Sequence, residues 1–418
     1  MQANCLSGAP KIARRKQKLL RVRQACAKVQ LRLRQTRGAM KNGKISIVQV
    51  INTASIGGGM RHLFALLEHL PRERFHLSLV AENGGYLVDE IARRGIPVHF
   101  VPLMRSRLDL TAALRIALAA RREQADILHL HGTRAGFFGA LARKISGIRH
   151  TVYTVHGFSF HKDIGAAGRT FYLAVERFCS RSHSRLISVS GTDRDEAIRL
   201  GLCHPDRIRT IYNGIDFAVF DPQSVNGFLR SSYGISPSDP VVGTVARLVP
   251  QKGVEYFLDM AKLVADRHPL VRFAVIGEGK LEHPLRQYAA RLGLAERVLF
   301  LGPQTRMPEC YAGLDIFVLS SLWEGHPLSL IESLAMERPT VATLTSGSPE
   351  IIDDGETGFL VEPKDTARMA ERVCWFLEHR DEGRNMAREG RRRCQARFNE
   401  KTMADLTLNV YEELLAQA

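Results

Sequence analysis

The chain has 418 residues, 45% of them hydrophobic and 24% charged, with a formal net charge of +16. That length suits two ordinary domains with full cores; no apolar run approaches the roughly 18 residues a membrane-spanning helix needs, and no charged start leads into an apolar signal core. The seven cysteines, at positions 5, 26, 179, 203, 310, 374 and 394, include no C-x-x-C pair, which argues against a zinc ribbon or a disulfide framework and sets a reducing cytoplasm as the expectation.

The charge is local. Residues 1–44 hold thirteen Lys or Arg and no Asp or Glu, which leaves +3 on residues 45–418, an ordinary value for an enzyme. Within the basic segment Ile12, Leu19, Cys26 and Leu33 recur every seven residues, with Val22 and Val29 between them, the pattern of a basic amphipathic helix. Over residues 11–37 such a helix would bind an anionic membrane surface, each Lys or Arg adding about 1 kcal/mol. An inert basic tail, an RNA-binding segment and a targeting sequence are the other readings. Met40, directly before Lys-Asn-Gly-Lys, offers a fourth, an extension read from an upstream start.

From Ile45 onward strands and helices alternate. The first strand is Ile45–Ile51, followed by a glycine turn at Gly57-Gly58-Gly59 and an amphipathic helix to about Leu70. Further strands are expected at 76–80, 98–101, 126–131, 151–156 and 185–189. Short apolar strands separated by helices indicate a parallel sheet covered on both faces. Residues 217–240, rich in Ser, Pro and Gly, read as a linker. A second series follows, with strands at 241–245, 271–276, 298–301, 315–320, 340–344 and 359–361. The expected organisation is a basic extension (1–44), a first domain (45–216), the linker, a second domain (241–395) and a C-terminal helix (396–418) packing back on the first domain. The fold class is α/β, two doubly wound Rossmann-like domains facing each other across a cleft lined by strand carboxyl ends.

The chemistry concentrates in Ser321-Leu-Trp-Glu-Gly-His-Pro-Leu-Ser-Leu-Ile-Glu332. Gly325 ends an apolar strand, and Pro327 suits the first position of a helix because it has no N–H to leave unpaired. Glu324 then lies in the turn and Glu332 inside the helix, roughly 7 Å behind its start. The free N–H groups near Leu328 and Ser329, at the positive end of the helix dipole, suit a phosphate. Spacing alone proves little: roughly one or two glutamate pairs eight apart arise by chance in such a chain, and Glu82 with Glu90 is one.

Context decides. Gly302-Pro303, the run Tyr311–Ser321, Trp323–Glu332, Gly347-Ser-Pro-Glu350 and Gly355–Pro363, taken in order, resemble the retaining GT-B glycosyltransferases, most closely glycosyltransferase family 4. The resemblance continues upstream over almost everything from residue 45. It implies that Arg247 and Lys252, in Val245-Ala-Arg247 and Gln251-Lys-Gly253, stabilise the leaving diphosphate without a metal. Gly277 of Gly277-Glu-Gly279 and the glycine turn with Gly57 and Gly58 would approach the donor. His156, ending Thr151-Val-Tyr-Thr-Val-His156, would support the transferred sugar. Glu324 would hold donor-sugar hydroxyls, Glu332 the ribose, and the backbone from Gly325 and His326 through Leu328 to Ser329 the phosphate charge.

The resemblance implies a nucleotide-sugar donor as co-substrate, no cofactor or metal, and a glycan or lipid-linked acceptor in surface-polysaccharide synthesis. No specific nucleic acid is expected, and the place of action is the cytoplasm, peripheral on the inner face of the membrane. The rivals are a GT-B nucleotide-sugar epimerase and a basic nucleic-acid-binding protein. Two departures stand out: Met60, where relatives often carry an acid, and Glu337, where a glycine is usual. His129 and His131 read as scaffold or acceptor-side residues, Tyr212-Asn-Gly-Ile-Asp216 as a structural turn whose Asn and Gly tolerate left-handed dihedrals, and Asp193-Arg-Asp195 as a helix cap rather than a metal site.

Overall fold

The computed structural model describes residues 43–417 apart from 53–56, 104–109, 162–163 and 226–227. The basic segment 11–37, and the membrane contact expected of it, lie outside the described residues. Among the described residues no helix is long and apolar enough to cross a membrane.

Two all-parallel sheets carry the molecule. The first holds β1 (Ile45–Ile51), β2 (Phe75–Ala81), β3 (Val98–Phe100), β4 (Ile127–His131), β5 (His150–Val155), β6 (Arg185–Ser188) and β7 (Ile208–Thr210), in the order β3-β2-β1-β4-β5-β6-β7. The second holds β8 (Val241–Val245), β9 (Arg272–Ile276), β10 (Val298–Gly302), β11 (Ile316–Leu319), β12 (Thr340–Thr343) and β13 (Phe359–Val361), in the order β10-β9-β8-β11-β12-β13. Central strands such as β4 and β11 are buried at every position, so the two-residue alternation of a half-exposed strand is missing and continuous apolar runs replace it. Strand order reverses between β1 and β4 and again between β8 and β11. These are the two switch points where doubly wound sheets leave a crevice beyond the strand ends, and the two crevices face each other.

β7 has no counterpart among the expected strands. It is a three-residue edge strand behind the helical turn Pro205–Arg207, too short to create a periodic signal. The segment read as a linker is more than a connection: Phe217, Phe220, Leu229 and Ile235 are buried in the core of the second domain beside Tyr311 and Leu314. Its Ser, Pro and Gly residues shape the turns, and its few large apolar residues attach it.

The last helix, Glu400–Ala416, returns to the first domain. Asn399 caps it, accepting from the Lys401 N–H at 2.8 Å, as an Asn at this position does. Met403, Val410 and Leu414 enter the core formed by Met60, Leu63, Leu66 and Leu67 of the helix Gly58–His69, each burial worth about 1.5–3 kcal/mol. The two chain crossings run side by side, since the Ile215 N–H donates to the Phe398 carbonyl at 3.0 Å and the Glu400 N–H to the Ile215 carbonyl at 3.2 Å. Gly214 is required here, because a Cβ would sit 2.4 Å from the Asn399 carbonyl carbon.

Candidate active site

A cleft of about 870 Å³ opens between the facing carboxyl edges. All twelve residues expected from the sequence line it: Gly57, Gly58 and His156 from the first domain, and Arg247, Lys252, Gly277, Glu324, Gly325, His326, Leu328, Ser329 and Glu332 from the second. Glu82 and Glu90 do not. Glu90 is spent on Arg93 and Arg94 along a surface helix, so equal spacing has led to unrelated surroundings.

Glu324 and Glu332, two of the carboxylates in the cleft, are held differently. Glu324 is buried, and its Oε1 accepts from the Ser321 hydroxyl at 2.6 Å and pairs with Lys252 Nζ. Its Oε2 has no partner among the described residues. Glu332 is fully buried on the helix Leu328–Ala335. There its Oε2 accepts from the Tyr311 hydroxyl at 2.9 Å, and its Oε1 pairs with Arg61 of the opposite domain. Pro327 is not the first helical residue. Its ψ of 113° is extended, so it stands at the cap and the helix begins at Leu328, placing Glu332 about 6 Å behind the tip.

Two cations line the same cleft. Arg247 follows β8 and is exposed; its guanidinium reaches toward the glycine turn, where a Cβ on Gly57 would lie 3.5 Å from its Nε. It has no acceptor among the described residues. Lys252 ends a helical turn, Pro250–Lys252, and Gln251 beside it fixes the motif loop by donating to the Trp323 carbonyl at 2.9 Å. The cleft narrows to bare backbone at Gly325, where a Cβ would sit 2.6 Å from the His156 carbonyl oxygen. At Gly277 φ is +134° and a Cβ would collide with the Ala246 carbonyl at 2.0 Å. Any side chain there would push the strand end that carries Arg247 out of place.

On the first-domain side three imidazoles meet, His62, His131 and His156, with ring nitrogens within 4.8 Å of one another. Burial lowers the pKa of all three: that of His62 falls to about 4 although its bond to Asn213 works the other way, and those of His131 and His156 fall well below the ordinary value, helped by the neighbouring imidazoles. All three are neutral at physiological pH. His326 contributes backbone rather than ring. Its imidazole packs between Tyr212 and Phe398 at 5.1 and 4.8 Å, and burial lowers its pKa to about 3.

Several residues that shape the cleft sit in or beside the quoted motifs without being singled out in the sequence. Arg61 looks like a surface cation on an amphipathic helix, yet it bridges the cleft. Asn213 is not part of a left-handed turn, for neither it nor Gly214 has a positive φ. Its amide joins the domains instead, bonded to His62 Nδ1 at 2.9 Å and donating to the His326 carbonyl at 2.7 Å. Met60 is fully buried in the first core, so it does not face an acceptor. The cap of the helix Gly191–Arg199 is Ser190, whose hydroxyl accepts from the Asp193 N–H at 3.2 Å. Asp193 itself is buried, 3.8 Å from His161, and burial raises its pKa to about 6. Asp195 is tied to Arg194 outside the cleft. A wall of Phe137, Phe158, Phe171, Tyr172 and Val175 forms the apolar end of the cleft.

Known proteins share this arrangement. The model of glycosyltransferase family 4 matches residues 56–219, and that of glycosyl transferases group 1 matches residues 226–393. The putative glycosyltransferase EpsD of Bacillus subtilis is 30% identical over 74% of this chain and 83% of its own length. The UDP-Gal:alpha-D-GlcNAc-diphosphoundecaprenol alpha-1,3-galactosyltransferase of Escherichia coli is 29% identical over 78% and 86%. Among solved structures, Anabaena HepE in complex with UDP and glucose superimposes with a TM-score of 0.77 at 22% identity, covering 88% of this chain and 99% of that one. With two facing Rossmann-like domains, a shared cleft and matches over both halves, the chain belongs to glycosyltransferase family 4, of the GT-B fold, and is a glycosyltransferase with relatives in polysaccharide and lipid-linked sugar synthesis.

Proposed function

We propose that the enzyme transfers a hexosyl or N-acetylhexosaminyl group from a nucleotide-sugar to a lipid-linked acceptor, with retention of configuration and without a metal. The observation that carries this reading is the convergence of Arg247, Lys252 and the N-terminus of the helix Leu328–Ala335 on one cleft wall, with Glu324 and Glu332 beside them. A nucleoside diphosphate fits that wall: phosphates on the helix tip and the two cations, ribose hydroxyls on Glu332, sugar hydroxyls on the unpartnered Oε2 of Glu324. Charge growing on the departing diphosphate meets fixed positive groups, which need not reorganise during the reaction. His156 supports the sugar from the opposite domain. Among the described residues the first domain brings no carboxylate to the cleft to act as a nucleophile, so attack on the same face, beside the leaving phosphate, is the retaining route.

The apolar wall suits a long hydrocarbon carrier, and the relative named for a diphosphoundecaprenol-linked substrate supports a polyprenol diphosphate acceptor. The same relative makes UDP-sugars the first donors to try. Action on the inner membrane face, with residues 11–37 as the contact, goes with such an acceptor.

Glu324→Ala and Lys252→Ala should each lower turnover about 100-fold or more with the fold intact by circular dichroism, while Glu82→Ala leaves it unchanged. A screen of UDP-, GDP- and ADP-sugars by thermal stabilisation identifies the donor, and product anomeric configuration by NMR decides retention. Transfer that stops in a chelator and returns with a divalent ion would refute metal independence.

A further inference from the structure

What His156 can do in the cleft depends on which ring nitrogen carries its proton. A chain of hydrogen bonds behind it bears on that choice. His156 Nε2 lies 3.2 Å from His131 Nδ1, and His131 Nε2 lies 2.9 Å from Gln49 Oε1. Gln49 Nε2 donates to the Tyr411 hydroxyl at 3.1 Å, that hydroxyl lies 2.5 Å from His129 Nδ1, and His129 Nε2 lies 2.7 Å from Thr154 Oγ1. The Gln49 amide sets the polarity, because its oxygen only accepts and its nitrogen only donates. Each bond then runs one way: His156 to His131, His131 to Gln49, Gln49 to Tyr411, Tyr411 to His129, His129 to Thr154. A flipped amide would reverse the chain and put the His156 proton on Nδ1. Among the described residues that nitrogen is buried without a partner, and a buried N–H left unpaired is rarer than an acceptor left unpaired. The two observations agree on one direction.

We propose that Gln49 and Tyr411 are positioning residues which, through His131, hold the His156 proton on Nε2. His156 Nδ1, buried among the described residues, then stays unprotonated, so the ring carries no unpaired N–H. The device spans the chain: Gln49 sits on β1, and Tyr411 arrives on the returning C-terminal helix. The consequence for catalysis rests on the glycosyl-transfer reading above, with His156 at the transferred sugar; the tautomer itself does not.

Ring-nitrogen NMR of the full-length enzyme labelled with ¹⁵N-histidine, near neutral pH and without substrate, tests it. The protons of His156 and His131 are expected on Nε2. In Tyr411→Phe and in the near-isosteric Gln49→Met both rings should become tautomer mixtures. Turnover should fall about tenfold, while affinity for the free nucleotide, held by the second domain, changes less than about twofold. Gln49→Met breaks the same link and decides the case should Tyr411→Phe not fold. A wild-type His156 proton on Nδ1 overturns the proposal, as do variants with unchanged spectra and turnover. So does one equivalent of zinc in the purified protein, because His62, His131 and His156 would then be ligands and the 3.2 Å approach would be bridged by metal. If no nucleotide-sugar is turned over, the glycosyl-transfer reading fails while the spectrum still settles the tautomer.

Discussion

Arg61 pairs with the carboxylate that the ribose of a donor would use. The pair spans the cleft from the first domain to Glu332, which is fully buried, while Arg61 is 31% exposed. A nucleoside binding at Glu332 has to displace the guanidinium, so part of its binding free energy goes into breaking a semi-buried ion pair. Arg61→Ala is expected to lower the thermal midpoint of the free enzyme and to tighten nucleotide binding several-fold by calorimetry, since the variant has an unpaired buried carboxylate to satisfy. Weaker binding would show instead that Arg61 grips the diphosphate. Glu324, His156, Arg247 and Lys252 were legible because each sits in a short motif whose neighbours corroborate it. Arg61 and Asn213 were not: the partner of each lies far along the chain, and a basic residue on an amphipathic helix or an Asn-Gly pair has a commoner explanation.

At the scale of elements, local sequence specified the strands well and their ends less well. Pro327 shows why. Its fixed φ suits both the cap and the first helical position, and only ψ separates them. Glu337 is a clearer case. It follows the helix Leu328–Ala335 with φ at +54°, the left-handed region where a side chain crowds the following carbonyl oxygen. A glycine, expected here from the family resemblance, would adopt this φ without that strain. Its carboxylate lies 3.9 Å from an exposed Arg388, a pair contributing about 0–1 kcal/mol. Glu337→Gly should therefore raise stability by about 0.5–1.5 kcal/mol, read as a shift in the denaturant midpoint at unchanged slope. No gain would mean that the turn relieves the strain elsewhere.

At the scale of the whole molecule, the two-domain α/β architecture was legible from the alternation of strands and helices, but the contacts that join the domains were not. One of them is anionic. Glu350 of the second domain lies at the start of the first-domain helix Gly191–Arg199, accepting from the Ser190 hydroxyl at 2.6 Å and from the Gly191 and Thr192 N–H groups at 2.8 and 3.0 Å. Burial alone would push its carboxyl up; the bonds from Ser190, Thr192, Gly191 and Tyr212 outweigh burial and hold it below its ordinary 4.5. A depressed carboxyl contributes stability that is fully present above the unfolded value and is lost as pH falls through the folded one. Glu350→Gln should therefore unfold at lower denaturant than the wild type at pH 7, and the gap should close as pH drops below 4.5. Buried His62, whose pKa is lowered from 6.5 to about 4, costs stability over the range between those values as pH falls, but equally in both proteins. A gap that persists undiminished through the acid range would show that shape, not charge, makes the contact. The return of the C-terminal helix has a consequence in time as well as in space. Synthesis runs from the amino end, and β1–β7 are complete once residue 210 has been made. The buried amide of Gln49 gains its hydroxyl partner only with residue 411, about 200 residues and on the order of 10–40 s later at ordinary rates of elongation. Through that interval the nascent first half lacks the cover that Met403, Val410 and Leu414 provide. A gene cut short after Asn399 would therefore encode an unfinished first domain rather than a shorter enzyme.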